Sequence, residues 1–281
     1  MASLTGLLNV TRKVMSNPGG IVGSAIILSI CLLAAIGPLL APYDPYKQVM
    51  SDRLQPPSAK YPLGTDHLGR DILSRILYGC RISLAAAILV ISLSATLGLL
   101  LGLTAGYFGG LVDETLMRVT DVFFAFPRLI LAMAVGAAIG PGLLNAMLAI
   151  AVVSWPVYAR LVRACTLQVK GEVYIEAAKA LGLNDARIIL KHVLPMVAHA
   201  VIVQATLDFG GVVLLNAGLG FLGLGAAPPT PEWGLMVSEG RLYIATHWWV
   251  STLPGLAIMA SALGFNLLGD SLRDVLEVKL K

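Results

Sequence analysis

Apolar stretches about as long as a bilayer is thick recur along this chain, at 21–41, 82–106, 119–139, 143–162, 197–222 and 250–269. A helix rises about 1.5 Å per residue, so roughly 20 apolar residues cross the ~30 Å hydrocarbon core with every backbone polar group paired inside the segment. The pattern predicts an all-α integral membrane protein of about six transmembrane helices. The remainder of the 281 residues is too short for a large soluble domain. Charged residues make up 13% of the chain, about half the ~25% typical of soluble domains. The first run is longer than the 7–15 residue core of a signal peptide, and it reads as an uncleaved span behind a polar segment carrying Arg12 and Lys13.

Lys and Arg concentrate on the cytoplasmic side of membrane proteins. With the N-terminus inside, the inner segments carry 12 of them and the outer segments 7, so both termini are expected in the cytoplasm. The expected organisation is a cytoplasmic segment 1–20, a first span 21–41, an extracytoplasmic segment 42–81 and a core region 82–281. That core holds five spans and a basic polar interval, 163–195, on the inner side.

Several chemistries find no support in the residues. No GxxxxGK[ST] loop is present, so the chain alone is not expected to bind ATP for hydrolysis. Gly218, Gly220 and Gly223 spell GxGxxG, but inside an apolar run with no strand before it, which argues against a dinucleotide site. They read instead as the end of the fifth span. Neither a triad-like nucleophile motif nor an i,i+4 His pair occurs, and the three cysteines have no paired spacing, so no metal site is expected. The formal charge of +4 comes without basic runs interleaved with aromatics, which leaves no case for nucleic acid.

Polar groups inside spans are costly and become functional candidates by default. Asp121, Arg128, Asn145, Asp208, Asn216, Asn266 and Asp270 qualify. Asp208 is the deepest isolated acid and is expected to face a polar path through the bundle or a partner subunit, with Asn216 and Asn145 as further path candidates. Asp121 and Arg128 lie two turns apart and are expected to pair with each other or with a neighbouring span. Gly98, Gly102 and Gly106 line one face with residues small enough for helix backbones to touch. Trp233, Tyr243, Trp248 and Trp249 fit an interfacial aromatic belt or a docking surface in the last outer loop.

The polar interval carries the most specific pattern. Val173 to Leu181 can form a short helix with Tyr174, Ala178 and Leu181 on one face by three-and-four spacing. Gly182 can take the left-handed conformation that ends it. Asn184 suits the N-cap of a second helix, and Pro195 is expected to end that helix. Glu176-Ala177-Ala178, then Gly182, then Leu194-Pro195 resembles the EAA loop of ABC importer permeases, with His192 where the usual pattern has Ile. The segment Pro62-Leu-Gly-Thr-Asp-His-Leu-Gly-Arg-Asp71, with Ser74-Arg75 and Tyr78-Gly79 after it, and the run Leu219–Gly225 followed by Pro228-Pro229 and Trp233-Gly234, are similar to the dipeptide, oligopeptide and nickel importer subfamily.

That resemblance implies a type I (MetI-like) permease fold in a bacterial inner membrane. It also implies a second homologous permease, two ATPase subunits that bind ATP and Mg, an extracytoplasmic binding protein and surrounding lipid. Tyr174, Glu176, Ala177, Ala178, Gly182, Leu183, Leu194 and Pro195 would form the contact to the ATPases. The implied cargo is a di- or oligopeptide; nickel, glutathione or another small solute travels on the same scaffold. A self-sufficient secondary transporter or a membrane enzyme is the rival class, and it would show internal pseudo-repeats with broken helices, or catalytic acids facing each other at mid-membrane.

Overall fold

The computed structural model describes residues 11–277, and all its regular elements are helical. Helix α1, Pro18–Leu40, starts where the Asn17 side chain accepts the Gly19 N–H at 3.1 Å, with Pro18 in the first turn, a position that needs no N–H. It lies along α10, Trp249–Glu277, so closely that a side-chain carbon at Gly23 would meet the Leu268 backbone at 2.7 Å. A loop then leads to α2, Ile72–Phe108, whose Asp71 cap accepts the Ser74 N–H at 2.8 Å. This helix begins well ahead of the apolar run at 82, because Arg75 and Tyr78 are carried inside its first turns rather than in a loop.

The most extensive contact in the bundle joins α2 to α5, Leu143–Lys170. The glycine stripe explains it. A side-chain carbon at Gly98 would sit 2.7 Å from Trp155 O, at Gly102 2.7 Å from the Val162 side chain, and at Gly106 2.9 Å from Arg163 O. Only glycine lets the two backbones come so near.

The stretch expected as a single third span, 119–139, is instead two helices. Helix α3, Gly110–Phe124, and α4, Arg128–Ile139, meet at 93°. Pro127 caps α4 and has no N–H to continue the ladder from α3, so the chain turns there. Helix α3 carries charge and lies against α5 through two ion pairs, Asp121–Arg160 at 2.6 Å and Asp113–Arg163. Among the described residues, five helices are long and apolar enough to cross a membrane, and the bent pair makes a sixth crossing if taken together.

After α5 come α6, Val173–Ala180, and the four-residue α7, Asp185–Ile188. One turn of wider π geometry, Ile189–Val193, joins α7 to α8, Leu194–Phe221. Pro195 therefore does not end a helix. It sits in the first turn of α8, where its missing N–H costs nothing. The short α9, Trp233–Gly240, packs between α8 and α10.

Two of the four aromatics expected at a membrane surface are inside the protein. Trp233 and Trp249 are buried, their indole N–H groups donating to Ile76 O at 3.1 Å and Thr65 O at 3.3 Å, while Trp248 is exposed. Trp233 thus ties α9 to the first turns of α2, and Trp249 ties the start of α10 to the loop ahead of α2, which fixes one end of the bundle.

Candidate functional site: a coupling segment and a charged mid-bundle cluster

At one end of the bundle, α6 is held by two side chains. Ile175 is 0% exposed and Ala178 7%, and both pack with Leu103, Tyr107, Val162, Ile188, Val193 and Val197. The inward face is thus Ile175 with Ala178, one turn apart, and not the face of Tyr174, Ala178 and Leu181 that spacing suggested. Tyr174 and Leu181 point outward, as do Val173, Glu176 and Ala177; Leu181 is 81% exposed and Val173 78%. Which face turns inward depends on the direction from which the bundle approaches, and periodicity alone does not carry that.

The turn after α6 follows its residues. Gly182 has φ +78°, its N–H donates to Lys179 O at 2.9 Å, and the Leu183 N–H donates to Ala178 O at 3.2 Å, closing the helix end in the left-handed manner glycine favours. Asn184 caps α7 by accepting the Arg187 N–H at 2.9 Å. The segment is tied to α2 and α5 by polar contacts. The Tyr107 hydroxyl donates to Asp185 at 2.6 Å, and Lys170 donates to Tyr107 O at 2.6 Å. Leu194 is half-buried against the same cluster, and Pro195 is exposed.

Deeper in the bundle, Arg128 and Asp208 form a bidentate pair, at 2.9 Å for Nη1 to Oδ1 and 3.2 Å for Nη2 to Oδ2. Arg128 also donates to the Ser154 hydroxyl from Nε at 3.2 Å and from Nη2 at 2.6 Å, and the Tyr158 hydroxyl donates to Asp208 at 3.3 Å. Helices α4, α5 and α8 meet through these four side chains. Asp208 therefore has a basic partner in its own chain, supplied by α4, and Asp121 and Arg128 pair with different helices rather than with each other. Ser154 and Tyr158 escape a search of the sequence because a single hydroxyl in an apolar run has no distinctive spacing.

The other two path candidates lie apart from this pair. Asn216 is buried two turns further along α8, donating to Glu232 at 3.3 Å. Asn145 donates to Gly140 O at 3.2 Å and holds the α4–α5 connection. Glu232 caps α9 through the Leu235 N–H at 2.8 Å and also accepts from Ser83. Burial pushes its carboxyl above the usual range, against the opposing pull of those hydrogen bonds.

The opposite end of the bundle holds an ionic cluster in which Asp66, Arg70 and Arg75 are buried and Glu239 is 12% exposed. Asp66 accepts from Arg70 at 2.6 Å and Arg75 at 2.7 Å, and Glu239 accepts from the same two guanidinium groups at 2.9 and 3.0 Å. It joins the loop before α2 to α9. The i,i+4 pair of Asp66 and Arg70 is visible in the sequence; Glu239, far along the chain, is not.

A bundle of apolar helices with a capped polar segment at one end and an ionic clamp at the other defines a multi-span membrane protein. The family described as binding-protein-dependent transport system inner membrane component matches residues 98–281, and the N-terminal TM domain of oligopeptide transport permease C matches residues 8–57. The chain belongs to this family of ABC importer permeases. It is 45% identical over 270 residues to the dipeptide transport system permease protein DppC of Alkalihalophilus pseudofirmus, covering 96% of this chain and 89% of that one. Identity to the di/tripeptide transport system permease protein DppC of Pseudomonas aeruginosa is 45%, covering 94% and 89%. Identity to the glutathione transport system permease protein GsiD of Pectobacterium atrosepticum is 44%, covering 96% and 90%. The fold matches a chain of the MetNI methionine ABC transporter in inward-facing conformation, with a TM-score of 0.58 and 22% identity over 71% of this chain and 95% of that one.

Proposed function

We propose that this chain forms half of the translocation pathway of an ATP-driven importer for di- and oligopeptides, and that it takes up the ATPase stroke through α6. The observation that carries the reading is the anchored, outward-facing α6. Ile175 and Ala178 fasten it to the bundle, while Val173 stands exposed at its start and Leu181 at its end beside the Gly182 turn. Apolar side chains held out on a rigid, short helix fit a groove in a partner. Glu176 and Ala177 lie on the same outward side, with Tyr174 beside them; Leu183, Leu194 and Pro195 set the segment's angle to α8.

In this reading ATP and Mg are bound by two ATPase subunits, a second permease completes the pathway, and a binding protein delivers cargo at the end built around Asp66 and Glu239. The termini face the cytoplasm of a bacterial cell and the spans sit in its inner membrane. Asp208 stands beside the path at mid-depth, and Asn216 and Asn145 shape its outer end. A peptide cargo is supported by the relatives named for dipeptides, di/tripeptides and glutathione, each of which carries a free carboxylate.

The test is gentle solubilisation of native membranes with this chain tagged, mass spectrometry of what comes with it, and reconstitution of that assembly in liposomes. Recovery of a second permease and ATPase subunits, with ATP-dependent peptide uptake, is the expected result. A chain that purifies alone and transports without ATP would overturn it.

A further inference from the structure

Arg128 is placed unusually for a membrane-buried cation. It opens α4, whose 12 residues reach Ile139, so it lies about 17 Å below the end of that helix. Ser154 stands a similar distance below Leu143, and Asp208 about 20 Å below Phe221. The Gly142 N–H donates to Leu224 O at 3.3 Å, which sets these ends at one level. All three side chains are thus close to the middle of a ~30 Å hydrocarbon core.

The pair is lopsided. The Asp208 side chain is 8% exposed and that of Arg128 29%. Asp208 is enclosed by Tyr158 and by Arg128 itself, so the guanidinium is the member that looks out of the chain. Its bonds to Asp208 and Ser154 engage four of the five N–H groups. A cation edge turned toward lipid at this depth is strongly disfavoured, so this face belongs against water or protein. The helix bend at Pro127 puts the guanidinium at a helix start, where side chains are not screened by a preceding turn.

We infer that Arg128 is a mid-membrane station for the free carboxylate of the travelling peptide, which takes up the outward edge of the guanidinium while Asp208, steadied by Tyr158, keeps the other edge oriented. This rests on the peptide reading above and adds the residue and the chemical group it meets. Arginine suits the task because its charge is permanent and its planar group, held by Asp208 and Ser154, leaves one Nη1 N–H directed outward for a carboxylate oxygen. Asp208 keeps the site from holding cargo too tightly, since its carboxylate already offsets much of the guanidinium charge that an arriving carboxylate meets. Ser154 and Tyr158 are positioning residues.

The test uses the whole transporter in liposomes with its binding protein, loaded with a dipeptide carrying a diazirine side chain and a free C-terminus. Uptake and the sites of photolabelling are read together, with thermal stability of the assembly as a control. Label is expected on α4, α5 and α8 in the turns around Arg128, Ser154 and Asp208. Arg128→Gln should remove that label and slow uptake about tenfold or more, as loss of a charged hydrogen-bond partner implies. Arg128→Lys should restore part of both. Asp208→Asn, which still accepts from Arg128, should keep the label. Label elsewhere on the chain, or wild-type uptake and labelling in Arg128→Gln, overturns the assignment. If Arg128→Gln fails to assemble, Arg128→Lys with unchanged uptake and label displaced from these turns does the same. A wild-type assembly that moves no peptide defeats the peptide reading itself, a result distinct from any of these.

Discussion

Arg75 and Glu239, 164 residues apart, meet at 3.0 Å in the interior of the protein. The contact closes a four-member ring with Asp66 and Arg70, so that two acids and two guanidinium groups neutralise each other largely away from water. Such a ring is weak evidence of net stability, because desolvation opposes the attraction. Breaking it from one side is another matter, since the partners stay buried without their counter-charge.

Glu239→Gln should therefore destabilise the protein by about 3–5 kcal/mol, leaving Arg70 and Arg75 to share Asp66. Thermal melting of the detergent-solubilised assembly checks this, and an unchanged melting temperature would show that water reaches the cluster.

Glu232 supplies a pH dependence. Burial raises its carboxyl above the ordinary value, so the folded state holds the proton more tightly than the unfolded chain does. The stabilisation this confers is complete below the unfolded pKa and is lost as pH rises through the folded one. Glu232→Gln, a permanently neutral isostere, should flatten that fall in a series of melts at rising pH. A wild-type protein that gains stability over the same range relative to the variant would refute the assignment.

Gly182 has φ +78° with no neighbouring atom within 4 Å of a built Cβ, so space is available and only backbone conformation resists a side chain. Gly182→Val should strain the turn by about 1–2 kcal/mol and reorient α6. The span bundle is expected to survive while ATPase co-purification falls. Full recovery of the ATPases with normal uptake would remove the turn from the coupling contact.

Gly102 tests packing instead. Gly102→Leu would press into Val162 and the Ala159 carbonyl, and overpacking of this kind costs about 1–3 kcal/mol. A reduced melting temperature with coupling-segment contacts intact is the expected outcome, and an unaffected one would mean that α2 and α5 part readily.

Much of this architecture is legible from residues alone where the cause is local. Apolar run length announces the spans, Gly182 and Asn184 mark a helix end and a helix start, and the Gly98–Gly106 stripe marks a close contact. The break at Pro127 was hidden because hydropathy averages across it, although the proline itself was in view. Long-range pairings carry no local trace: Asp208 finds Arg128 80 residues away, and the inward face of α6 is settled only by Val193 and Val197 folding back over Ile175.

Helix α2 is 37 residues long, or about 55 Å, nearly twice the thickness of the hydrocarbon core. Near one end Tyr107 grips Asp185 in the coupling segment, and near the other Arg75 grips Glu239. An unbroken rod fastened this way works as a lever. A tilt of about 5° about one end carries the other some 5 Å, by the length of the rod alone, so the two ends of the bundle are linked mechanically without any relay of side-chain rearrangements between them.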